Sequence, residues 1–195
     1  MYYKHEIQIE NDFYPDVFKA LDRIGLSGEV GYHLMKLLEP IHFKGTKNID
    51  YNGRYVDLRK SIENIFRDMV SRRFLPSLIL NKGKKDSVNL SWSSLYLAGK
   101  EPSIKELTDA EKDSKLKSDL NNNLVAPILP KQLSDWLKGA IFQAGAAVHT
   151  STVEGDQVMN LDNYLSKVDG SPYMLRSLTM GLCDFILWYD NLLKK

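Results

Sequence analysis

An all-α fold, an antiparallel helical bundle, is what this sequence of 195 residues predicts, and three features carry that prediction. Apolar residues recur at spacings of three and four through Leu58, Ile62, Ile65, Phe66 and Met69, which is the period of one helix face. The C-terminal stretch repeats the pattern in Leu175, Leu178, Leu182, Phe185, Ile186, Tyr189 and Leu193. Proline and glycine stand where such stretches begin and end: Pro15 and Gly25 bracket Val17, Phe18, Leu21 and Ile24, in the order that suits a helix start and a helix stop.

In chain order, residues 1–14 alternate loosely around Ile7 and Ile9, the pattern of a short strand or an ordered arm. The helix over 15–24 follows, since a first-turn proline gives up no needed N–H. Ser27 is placed to cap a second helix bearing Val30, Leu34, Leu37 and Leu38 on one side and ending near Pro40. Residues 41–53 hold two glycines and two asparagines with little periodicity and read as a loop. The helix around 58–69 carries Arg59, Glu63 and Arg67 in steps of four, and pairs so spaced add only ~0.2–0.5 kcal/mol each. Pro76 and the run Asn81-Lys82-Gly83-Lys84 end it, and residues 88–98 fit either a short helix or a strand.

From 100 to 123 eleven of 24 residues are charged, a solvated connector anchored by Ile104, Leu107, Leu116 and Leu120. A helix over 133–148 is rich in small residues, and Gly139, Ala140, Ala144, Gly145, Ala146 and Ala147 let another backbone come close. After a hydrophilic loop over 150–160, Ser171-Pro172 supplies an N-cap and a first-turn proline for the last helix. Met174, Met180, Leu187 and Trp188 make that helix apolar nearly all round, which places it centrally or against a partner. The expected organisation is a single helical domain over 1–195, with 1–50 an N-terminal helical extension and 51–195 the bundle.

Composition narrows the function. Lys and Arg total 26 against 25 acids, a net +1, which excludes a uniformly basic nucleic-acid coat and leaves local patches open. One cysteine excludes an internal disulfide and a cysteine zinc cluster and points to a reducing, cytoplasmic setting. No apolar run is long enough to span a membrane, and the start, Met1-Tyr2-Tyr3-Lys4-His5-Glu6, has no apolar signal region. A P-loop and a serine-hydrolase elbow are both absent. His5, His33, His42 and His149 lack the spacing that sets two metal ligands on one helix face, so neither metal nor cofactor is expected. Cys183 lies in the apolar last helix and reads as a buried, inert thiol. Residues 18–39 look a little like a helix-turn-helix, but the second helix carries one lysine against two glutamates, and simple helical packing accounts for it better.

Two candidate sites remain. His149, at the end of the small-residue helix, is a candidate general base or RNA contact, against the plainer role of a cation at a helix C-terminus. Residues 54–85 hold nine Lys/Arg and three acids, a local +6. Arg67, Arg72, Arg73, Lys82, Lys84 and Lys85 are its candidate phosphate contacts, against the plainer reading of solvated charges paired with Asp57, Glu63 and Asp68.

Three segments together resemble the HEPN superfamily of small prokaryotic helical domains, closest to uncharacterised defence-associated members. Leu58-Arg59-Lys60-Ser61-Ile62-Glu63-Asn64-Ile65 is similar to an early helix with arginine and glutamate four apart, which makes Arg59 and Glu63 candidates beside His149. The stretch from Gly139 through Ala144 and Gly145 to His149 is similar to a small-residue helix ending in histidine, and the closing apolar helix is the third match. The resemblance spans about 51–195. It implies a helical bundle that dimerises, and the apolar last helix independently suggests an association surface. Catalytic members carry arginine five residues before the histidine; here that position is Ala144. The expected function is therefore a non-catalytic binding or regulatory module of a prokaryotic defence or nucleic-acid-associated system, acting as a homodimer, with RNA or another nucleic acid as a partner. The alternatives are a metal-independent ribonuclease using His149 and a structural protein-interaction domain.

Overall fold

The structure, a computed structural model, describes residues 6–42, 51–76, 79–80, 87–100, 128–148 and 173–195. Among these residues the fold is all-α, with no strand and one isolated antiparallel bridge between Leu80 and Val88. The helices are α1 (Pro15–Ile24), α2 (Tyr32–His42), α3 (Tyr51–Ser71), α4 (Leu90–Leu97), α5 (Lys131–Val148) and α6 (Tyr173–Leu193). The chain divides into two compact units, Met1–Ser61 with Ala140–Lys195, and Ile62–Gly139, the boundaries falling inside α3 and α5.

In the first unit the Pro15–Gly25 punctuation holds. Gly25 has φ 85° and its N–H bonds back to the carbonyls of Leu21 and Asp22, a left-handed stop that suits glycine. The strand or arm expected before Pro15 is instead helical: Ile9–Phe13 makes a π-helical turn closed by the Tyr14 N–H on the Ile9 carbonyl. Ile9 is fully buried, so one anchor, rather than an alternating face, sets that segment. Ser27 does not cap through its side chain. Its hydroxyl donates to the Asp22 carboxylate, and Ser27–Gly31 forms a second π-helical turn that runs into α2. The helix passes through Pro40 to His42, and α3 is already formed at Tyr51, so both ends of the expected loop over 41–53 are helical. Helices α1 and α2 pack on α6. Val17, Leu21 and Leu37, and Leu178, Leu182 and Phe185 of α6, are buried in this unit, and removing such side chains from water stabilises by ~1.5–3 kcal/mol each.

The apolar surface expected to reach a partner on the last helix is thus largely used within this unit. Trp188 stacks on Phe185 at 5.5 Å, and only Tyr173 and Met174 of α6 are exposed large hydrophobics.

In the second unit, the ambiguous residues 88–98 are settled as helix by Asn89, whose side chain accepts the Trp92 N–H at 3.1 Å. The chain ends around α4 are tied by backbone bonds, Asn89 N–H to Ile79 and the N–H groups of Ile128 and Leu129 to Leu97. Ile62, Phe66, Met69, Trp92, Leu97 and Leu137 are buried here. The connector over 101–127, the loop over 150–160 and the Ser171-Pro172 cap lie outside the described residues.

Candidate functional site

The basic stretch on α3 separates into paired and unpaired arginines. Arg67 bonds to Glu63 at 3.3 Å and to Asn64 at 3.2 Å, and Arg72 bonds to Asp68 at 2.8 Å. These are pairs one turn apart, as the spacing implies, and each is exposed enough to contribute little stability. Glu63 is therefore a partner of Arg67. Asp57 pairs with Arg54 at 3.6 Å and with His33 at 2.8 Å.

Arg73 differs. After Ser71 the chain closes α3 with bonds from the Arg73 N–H to Val70 and from the Phe74 N–H to Met69, the pattern of a left-handed helix cap. Arg73 itself occupies the left-handed position at φ 66°, the single non-glycine residue with positive φ among those described. Its side chain is exposed and has no ion pair among the described residues. Lys82, Lys84 and Lys85 lie outside those residues.

Arg59 lies in the first unit and turns toward α5. A Cβ placed on Gly145 would sit 3.9 Å from its Nη1, an ordinary van der Waals contact, so the guanidinium lies beside residue 145. Ala144, the position at which the HEPN resemblance calls for arginine, is fully buried. His149 lies outside the described residues.

Two histidine clusters were not visible in the sequence. His33 Nδ1 lies 2.8 Å from Asp57 Oδ1 across 24 residues, with both side chains mostly buried. His42 Nε2 lies 2.8 Å from the Tyr14 hydroxyl across 28 residues, with Phe13 stacked on the ring at 4.4 Å. Burial, and then the Arg176 charge, hold His42 below the usual imidazole range. Burial, assisted by Cys183, raises Tyr14. Separations of this length leave no local spacing to detect.

Cys183 is buried, and burial together with Asp184 and Asp16 pushes its thiol up to about 12, which keeps it protonated and unreactive. Among the described residues no three His, Cys, Asp or Glu side chains are placed to hold a metal ion, and no helix is long and apolar enough to cross a membrane. Comparison of the chain with protein-family models, with curated proteins and with solved structures finds no match.

Proposed function

We propose that this chain is a HEPN-like helical module that binds nucleic acid without cleaving it, as a homodimer, within a prokaryotic defence or nucleic-acid-associated system. The observation that carries the binding reading is Arg73. A side chain in the left-handed region costs ~1–2 kcal/mol in backbone energy, and glycine is the usual occupant of this cap. Keeping an exposed arginine there, without an ion pair among the described residues, presents a cation at the end of α3 beside Arg72 and Arg67. Phosphates gain from such cations through a salt-sensitive, sequence-independent term, and the weak pairs to Glu63 and Asp68 yield readily to a phosphate.

The absence of cleavage rests on Ala144. Alanine at that position supplies no cation to a phosphate, and Arg59 reaches α5 from another helix. The homodimer rests on the family resemblance and on Phe142, which stands 62% exposed on α5.

The discriminating variant is Arg73→Gly, assayed with a short single-stranded RNA at low salt. It is expected to stabilise the fold by roughly 0.5–1 kcal/mol and to weaken binding several-fold, with Arg72, Arg73, Lys84 and Lys85 neutralised together removing most of it. Binding unchanged by both variants overturns the proposal. RNA cleavage that disappears in His149→Ala establishes the ribonuclease alternative instead, and a monomer by light scattering at micromolar concentration removes the dimer.

A further inference from the structure

At the start of α6 a second group of side chains gathers, and none of it belongs to the cation cluster on α3. Tyr173 is 70% exposed, and the Arg176 guanidinium carbon lies 5.4 Å from the centre of its ring. Among the described residues Arg176 has no carboxylate partner and its buried Nε has no acceptor. A buried donor left without an acceptor is a cost that native folds seldom carry without a reason. One turn further along α6, Met180 Sδ lies 3.7 Å from the Tyr14 hydroxyl, which also meets His42. Phe13, 42% exposed, covers the His42 ring. A half-buried guanidinium with no ion pair among the described residues therefore lies over one exposed ring and near enough to His42, under the other, for its charge to act on that imidazole.

That combination suits a ligand with a flat ring and a negative charge. Aromatic faces accept any base by stacking, and arginine serves both the phosphate and the ring plane. We infer that this surface is a stacking site for one nucleotide of a single-stranded nucleic acid, with a base on Tyr173 or Phe13 and the adjoining phosphate on Arg176. Glu10 and Asp12 are exposed in the same turn as Phe13, so the phosphate belongs at the Arg176 side and the base at the Phe13 side. The inference rests on the nucleic-acid reading above for its class of ligand, but not on the residues of α3.

The test uses the full chain and an oligouridylate of about ten nucleotides carrying 5-iodouracil, irradiated at low salt and mapped by mass spectrometry. The expected adduct is on Tyr173 or Phe13, and Tyr173→Ser is expected to weaken binding about tenfold while the thermal melt stays unchanged, because that ring is exposed. Arg176→Met is expected to weaken binding similarly and to flatten its salt dependence. Adducts confined to α3, with full affinity in Tyr173→Ser, overturn this site and leave the α3 reading standing. No binding by the wild-type chain overturns both. Competition by uridine monophosphate at the same concentration as the oligonucleotide overturns the strand in favour of a free nucleotide.

Discussion

The two ends of α6 solve the same electrostatic problem in opposite ways. Near its C-terminus, Asp190 is buried between cations. Arg23 donates to it from Nε at 3.1 Å and from Nη2 at 2.6 Å, and Lys194 donates at 2.6 Å. The fork from Arg23 holds the carboxyl down at about 2, with Lys194 assisting. At the N-terminal end the buried polar atom is a guanidinium nitrogen, and among the described residues no acid answers it. The difference separates charge that closes the fold, tying α1 to α6, from charge left available beside exposed rings.

Breaking the closed end has the largest expected effect. Asp190→Asn removes charge-assisted bonds to two cations and is expected to cost about 2 kcal/mol in urea-melt stability. Because Asp190 titrates lower in the folded chain than the usual 3.8, its contribution is present above that value and is lost as pH falls toward about 2. The acid-unfolding curve of Asp190→Asn is therefore flatter than that of wild type through this window.

A smaller effect is expected at the open end. Tyr14→Phe deletes the hydroxyl that meets His42 and is expected to cost about 1 kcal/mol. His42 titrates below its usual 6.5 when folded. The unfolded chain therefore binds the proton first, and stability declines as pH drops below that value. Arg176→Met, which relieves the lowering of His42 by the neighbouring charge, is expected to reduce this decline, as read from urea midpoints at pH 7 and pH 5.5. The smallest loss is that of Arg176→Met at neutral pH, where stability is expected to stay level or rise slightly, since the side chain has no ion pair to lose among the described residues and its acceptor-less Nε is removed. A loss as large as that in Asp190→Asn would erase the contrast between the two ends.

Much of the architecture is legible from local chemistry. Pro15 and Gly25 mark α1, the three-four spacing through Met69 marks α3, and Arg67 and Arg72 find acids one turn back. Asn89 is a residue type suited to capping α4, but a short apolar run fits two periods at once, so the cap alone does not decide the element. The π-helical turns were not legible, because a single inserted residue leaves no repeat in the sequence. The candidate sites divide similarly. Arg73 was visible as a charge, whereas its left-handed backbone is set by where α3 stops. The neighbourhood of Arg59 and Gly145, and those of His33 and His42, are created by tertiary packing between helices far apart in sequence.

The lone thiol gives α6 a built-in clock. Cys183 is buried against the segment that contains Tyr14 and Asp16, and its proton is held up to about 12. An alkylating reagent can reach it only during excursions that bring the sulfur into water, so the labelling rate counts those excursions without any engineered reporter. Comparing that rate in wild type and in Asp190→Asn measures how far the bond network at one end of the helix governs opening near its middle.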